Sequence, residues 1–266
     1  MVQFVDYHTH TTFSDGSEMD AMVRTAERAN CAGIGLSDHC ILIDDPFGRR
    51  ERFDLVETYG KRRERIEALR TRTKIPVYDA VELSYVPGQE ARIRAFLEEA
   101  DFCYAIGSVH FADGFDFTSG GRAVFLEQSI EERRDAVEAY YETLVQLIES
   151  ELFEIVGHLD LPERVAPLRG LSTEGHYRRL AEALSVSSSV PELNAGRALR
   201  GLNRVHPDPS FVDVFAEHDV EFVLGTDAHS PDELERRAEY LDAFLEEQAD
   251  FSLTSLPVSM GASTLS

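Results

Sequence analysis

Seven short apolar runs, near 2–8, 33–38, 76–83, 102–109, 153–158, 190–194 and 221–227, alternate with longer stretches whose apolar residues recur at helical spacing. The runs are short enough to be strands buried on both faces. The stretches near 18–31, 52–72, 89–99, 129–151, 172–186, 209–218 and 231–247 read as helices. Several open on a capping residue: Ser17 ahead of Glu18 and Asp20, Ser129 ahead of Glu131 and Glu132, Ser172 ahead of Glu174, and Ser230 ahead of Pro231. In 129–151, Ile130, Ala136, Val137, Tyr140, Tyr141, Leu144, Leu147 and Ile148 form an apolar face for core packing. Strand–helix alternation predicts an α/β fold with a parallel sheet and right-handed crossovers. Seven such units favour closure into an irregular seven-stranded (β/α)7 TIM-like barrel over an open sheet. Segment 111–128, with Gly114, Gly120, Gly121 and several aromatics, breaks the rhythm and reads as a loop over the barrel mouth. Segment 40–51 also reads as loop, and the tail after about residue 250 as a final packed segment or a frayed end. A length of 266 residues suits one domain, 1–266.

The strand ends change the picture from fold to chemistry. The seven runs finish on His8 and His10, Asp38 and His39, Glu82, His110, His158, Glu192 with Asn194, and Asp227 with His229. Side chains at the C-termini of parallel barrel strands converge on one mouth, so these residues predict a polynuclear metal site. His8 and His10 are two apart on an extended run, point the same way and can share an ion, and Asp227 and His229 repeat that spacing. Asp15 lies in the first loop. Mixed imidazole and carboxylate donors suit zinc, manganese or iron rather than calcium. His176 and His218, within helical patterns, and His206, in a Pro-flanked turn, read as structural or surface residues.

Composition narrows the partners. With 49 acidic against 26 basic residues the formal charge is −23, which repels polyanions, so neither nucleic acid nor an anionic membrane is an expected partner. Lys61 and Lys74 are the only lysines and tryptophan is absent, a bias that suggests a salt-rich, halophilic cytosol. The basic run from Arg49 to Arg72 is interleaved with Glu51, Asp54, Glu57, Glu64 and Glu67 and reads as a solvated, ion-paired helix. Cys31, Cys40 and Cys103 are odd in number and lack metal-knot spacing, so they are read as reduced. No leader segment or membrane-spanning run is visible, which predicts a cytoplasmic protein. Homo-oligomerisation is left open.

The successive strings DYHTHTTFSDG, LSDH, AVELSY, GSVH, GHLD and GTDAH, in this order and spacing, resemble the polymerase and histidinol phosphatase (PHP) superfamily from His8 to about His229. The resemblance implies three divalent ions. One is held by His8, His10, Glu82 and Asp227, a second by Glu82, His110 and His158 with Glu82 bridging, and a third by Asp15, His39 and His229. Some members carry His at the position of Asp15. The implied chemistry is phosphate-ester hydrolysis in which a metal-activated water, rather than a side chain, is the nucleophile. Asp38, Asp227 and His229 are candidate catalytic groups, with Asp38 or Asp227 as proton acceptor, and Asp160 is a candidate to orient a ligand imidazole from behind.

Within the superfamily, GSVHF, FEIVGHLDLPER, PELNAGRALRG and GTDAHSPDEL resemble the monofunctional histidinol-phosphatase branch, which implies L-histidinol phosphate as the small phosphorylated substrate and a place in histidine biosynthesis. Arg164, Arg197 and Arg200 are the candidate phosphate contacts. Ala195-Gly196-Arg197 departs from the family's register there, which leaves Arg197 and Arg200 unresolved. Phe111, Asp113, Phe115 and Glu192 are candidates for the rest of the substrate. The competing readings are another PHP phosphoesterase, acting on a nucleotide, a phosphotyrosine or a nucleic-acid 3′ end, and a non-catalytic PHP-like module.

Overall fold

The computed structural model describes residues 3–42, 55–118, 121–197, 204–247 and 251–257. In chain order its elements are β1 (Val5–Thr9), α1 (Met19–Arg28), β2 (Gly33–Leu36), β3 (His39–Cys40), α2 (Leu55–Arg70), β4 (Val77–Ser84), α3 (Glu90–Ala100), β5 (Tyr104–Ser108), β6 (Phe111–Ala112), β7 (Phe115–Asp116), α4 (Arg122–Glu127), α5 (Ile130–Glu149), β8 (Ile155–Val156), α6 (Glu174–Leu184), β9 (Val190–Asn194), α7 (Val212–Ala216), β10 (Val223–Gly225) and α8 (Pro231–Glu247), with 3-10 turns at Leu161–Arg164 and Pro209–Phe211.

Seven parallel strands close a barrel in the order β1, β2, β4, β5, β8, β9, β10, with β10 returning to β1. The first and last strands therefore meet at a seam, where Asp6 pairs with Leu224 and Thr9 bridges to Ala228. Beyond β2 the chain re-joins the sheet as β3, which sets His39 opposite Glu82 on β4. Tyr7, Ala80, Tyr104, Ile106, Ile155 and Val223 form one buried cluster drawn from five strands. Residues on non-adjacent strands touch only through the barrel interior, so this cluster is the plug beneath the mouth.

The expected helices are all represented, with 209–218 divided between a 3-10 turn and the short α7. Their caps differ in detail. Ser129 caps α5 in a full capping box with Glu132, and Ser230 accepts from the Glu233 N–H at the start of α8. Ser17 does not cap α1; its hydroxyl donates to the His229 carbonyl. Thr173 rather than Ser172 opens α6, and its N–H donates to His176 Nδ1.

Segment 111–128 is not simply loop. It contains the β6–β7 hairpin, turned by Asp113 and Gly114 at positive φ, and the six-residue α4. Helix α2 is less solvated than its charges suggest, because Arg62 is fully buried between Asp38 and Asp79. Most of the expected loop 40–51 lies outside the described residues. After 250, residues 251–257 are tied to the barrel although mostly exposed: Phe251 is buried, and the Phe222 and Thr254 N–H groups donate to the Ser252 and Phe222 carbonyls. Among the described residues no helix is long and apolar enough to cross a membrane, and Cys31, Cys40 and Cys103 are all free thiols.

Candidate metal centre

Glu82, near the end of β4, is the hub. Its Oε2 lies 3.3 Å from His8 Nε2, 3.6 Å from His10 Nε2 and 2.7 Å from His39 Nδ1. Its Oε1 lies 3.4 Å from His110 Nε2 and 3.2 Å from His158 Nε2. His10 Nε2 is 3.4 Å from Asp227 Oδ1, and His229 Nε2 is 3.3 Å from Asp15 Oδ1. Most of these separations are longer than good hydrogen bonds. They match the ~3.3 Å edge of a tetrahedron whose corners sit ~2.0–2.1 Å from a central ion. Three donor groups meet at short range: His10, Asp15, His39 and His229; His8, His10 and Asp227; and His39, Glu82 and His110. His8 Nε2 and both ring nitrogens of His10 are buried without a hydrogen-bond partner, which is costly unless cations complete the cluster. The residues present therefore fit divalent metals.

The charges fit as well. Burial pushes the Glu82 carboxyl up, but the imidazoles of His39, His8 and His110 outweigh it and hold the group well below the usual carboxylate range. At Asp227 burial is likewise outweighed, by the neighbouring imidazole of His10 and the charges of His8, His229 and Arg164. Burial, reinforced by His229 and His39, pushes the His10 imidazole down to about 3. Ionised carboxylates beside an unprotonated imidazole are the forms that bind metal.

Contacts behind the donors fix their direction. His8 Nδ1 is 2.8 Å from Glu192 Oε2, while Glu192 Oε1 accepts from the His158 N–H and Asn194 Nδ2, each at 2.7 Å. His110 Nδ1 pairs with Ser84 Oγ at 2.9 Å, and Ser108 Oγ donates to Glu82 Oε1 at 2.6 Å. Room for Glu192 comes from Gly225, where a Cβ would stand 2.6 Å from Glu192 Oε2 and 2.8 Å from His8 Cβ.

A family model described as the PHP domain matches residues 6–189, more than half of the chain. The chain belongs to the PHP family. A relative from Deinococcus radiodurans named "Probable histidinol-phosphatase" is 27% identical over 162 residues, and the match spans 60% of each chain. Two solved structures share the PHP fold. A candidate histidinol phosphatase from Listeria monocytogenes has a TM-score of 0.70 at 20% identity, covering 86% of this chain and 96% of its own. A histidinol phosphate phosphatase from Lactococcus lactis, solved with zinc, L-histidinol and phosphate, has a TM-score of 0.73 at 18% identity, covering 98% of each chain.

Several residues sit elsewhere in this PHP site than their sequence positions suggest. Asp38 does not face the donors: Thr11, Ser14 and Arg62 engage its carboxylate, which pins the first loop. Glu192 is fully buried beneath His8, with both oxygens in use, and so is closed to substrate. Arg197 is fully buried too, its Nη2 donating to the Glu163 carbonyl and its Nη1 3.9 Å from Asp160. Arg164 Nη1, by contrast, stands 3.7 Å from Asp227 Oδ2 and its side chain is 21% exposed, which puts this arginine at the mouth. Arg200 lies outside the described residues. Phe111 opens the hairpin directly after His110, and Phe115 packs against Phe125 of α4 with tilted rings. Asp160 does not touch His158 but binds His206 Nδ1. His206, read from sequence as a turn residue, is fully buried, because its backbone pairs with Asn194 at the end of β9. Only the Pro-flanked turn 12 residues past Asn194 could have hinted at that return.

Proposed function

We propose that this PHP protein is a metal-dependent phosphomonoesterase that hydrolyses L-histidinol phosphate to L-histidinol and phosphate, using three divalent ions with zinc as the favoured occupant. The observation that carries the reading is the convergence of five histidines and Asp227 around Glu82, with buried donor atoms that only cations can satisfy. The family and the likeness to a fold solved with zinc, L-histidinol and phosphate support it. The chain spans 60% of the length of the curated relative it matches, so substrate identity belongs to the proposal.

His8, His10, Glu82 and Asp227 would hold one ion, Glu82, His110 and His158 a second, and Asp15, His39 and His229 a third. When bound, such ions lower the pKa of water and offset charge on phosphoryl oxygens. Glu82 would serve as the carboxylate shared between them. Arg164 points a guanidinium at the mouth beside Asp227 and is placed to take a phosphoryl oxygen by charge-assisted hydrogen bonds. Asp227 Oδ2, next to that guanidinium, is the carboxylate placed to accept a proton. The positive charge of three divalent ions exceeds the negative charge of Asp15, Glu82 and Asp227. A phosphate dianion would therefore be drawn to a loaded mouth although the whole chain carries −23.

The test is phosphate release by the zinc- or manganese-loaded protein from L-histidinol phosphate, beside a nucleotide, a phosphotyrosine peptide, a sugar phosphate and an aryl phosphate. The expected result is a preference in kcat/KM of ~100-fold or more for L-histidinol phosphate, about 2.7 kcal/mol of discrimination. Equal slow rates would overturn the substrate, and no release from any would overturn the phosphomonoesterase.

A further inference from the structure

Behind the metal cluster lies a second group of buried polar atoms. His158 directs Nε2 at Glu82 and leaves Nδ1 buried with no hydrogen-bond partner. An imidazole that binds metal through Nε2 keeps a proton on Nδ1, and that proton needs an acceptor. Across from it is His206, whose ring makes an edge-on contact with His158 at a centroid separation of 6.3 Å. His206 Nε2 is also buried without a partner.

The tautomer of His206 follows from what surrounds Asp160. That carboxylate accepts from the Tyr177 hydroxyl and the Asp208 N–H, each at 2.8 Å, and Arg197 stands 3.9 Å away. Two donors and a nearby guanidinium define an ionised, acceptor-only group. The His206 nitrogen bonded to it, Nδ1, must therefore carry the proton. Nε2 is then a lone pair, the complement of the His158 Nδ1–H. A separation of 6.3 Å is too wide for a direct bond between the rings and suits one bridging water.

We propose that Asp160 and His206 form a positioning relay for His158, with one buried water carrying the hydrogen bond from His158 Nδ1–H to His206 Nε2. This rests on the reading of His158 as a metal ligand. Asp160 fixes the His206 tautomer, His206 fixes that of His158, and His158 presents Nε2 as a lone pair. Asp160, the last residue of GHLD, thus acts on the centre from two groups away. Arg197, 3.9 Å from Asp160, adds to the anchoring of that carboxylate and is a positioning residue as well.

The test joins a spectrum of the wild-type protein to metal retention by variants. In zinc-loaded, 15N-histidine-labelled protein, His206 is expected as the Nδ1–H tautomer; an Nε2–H or doubly protonated ring would overturn the relay. His206→Phe keeps the volume and removes the lone pair, and Asp160→Asn lets an amide donate to Nδ1 and reverse the tautomer. Each should weaken zinc retention against a chelator by ~10–100-fold. The double variant should be no weaker than His206→Phe, since both act through one path. Wild-type retention by folded His206→Phe would overturn the proposal; if that variant does not fold, the wild-type spectrum decides. His158→Ala separates the two readings. Full zinc content in His158→Ala would remove the ligand and the relay together, whereas loss there with none in His206→Phe would remove the relay alone.

Discussion

At the scale of single residues, the centre depends on carboxylates that never meet substrate. Glu192 faces three donors: the His158 N–H, the Asn194 amide and, on its other oxygen, His8 Nδ1. With the first two unable to accept, this arrangement favours the proton on His8 Nδ1 and leaves Nε2 for metal. Glu192→Gln preserves the shape yet places an amide donor against His8, which favours the opposite tautomer. Zinc affinity is expected to fall by ~10–100-fold while the metal-free protein unfolds close to the wild-type temperature. Chelator competition alongside thermal unfolding checks this, and unchanged affinity would mean that His8 is oriented by the backbone alone. The strand-end position of Glu192 was visible in the sequence; its burial was not. Whether a residue at such an end faces the mouth or the layer beneath depends on register with β10, where Glu192 pairs with Val223 and Gly225 leaves it room.

At the scale of elements, helix α2 is tied to the sheet by Arg62, which reaches Asp38, Asp79 and the carbonyls of Leu36 and Ala80. Removing it leaves Asp38 in the interior without its cation, while Asp79 keeps Arg63 at 2.7 Å, and breaking one partner out of a buried pair costs ~3–5 kcal/mol. Arg62→Met should therefore destabilise the fold by about that much near pH 7. Burial raises the Asp38 carboxyl, but Arg62 outweighs it and holds the group below its ordinary value. The stabilisation it supplies is present above the unfolded carboxylate range near ~3.9 and is lost as pH falls through the lower folded value. The gap between wild type and Arg62→Met should thus narrow on acidification, as denaturant titrations at a series of pH values would show.

The strands and most helices were legible because a parallel barrel strand is a short apolar run and its helix a longer periodic one. What escaped was set by long-range contacts. Arg62 looks like any exposed arginine until Asp38 and Asp79 close around it. The β6–β7 hairpin and α4 are too short to show a period. His206 enters the interior only because its backbone pairs with β9. His176 caps α6, stacks on Tyr141 at 4.4 Å and binds Glu138, a role its helical position left open.

At the scale of the whole molecule, a charge of −23 makes the compact state repel itself. Screening lengths fall from ~10 Å at 0.1 M salt to ~3 Å at 1 M, so added KCl should stabilise the fold. The thermal midpoint of the metal-free protein is expected to rise by at least ~2–4 °C over that range, the equivalent of about 1 kcal/mol for a chain of this size. Calorimetry checks it, and a flat response would mean that charge is evenly enough spread for repulsion to matter little.

The seam between β1 and β10 also sets an order of events during synthesis. Asp227 and His229 leave the ribosome more than two hundred residues after His8 and His10 and come to lie beside them only when the barrel closes. A nascent chain already holds Glu82 beside these imidazoles in sequence order, but the donors at the seam are incomplete until β10 is made. Completion of the donor set is therefore a late step in biogenesis, and a full set certifies that both ends of the barrel were made and joined.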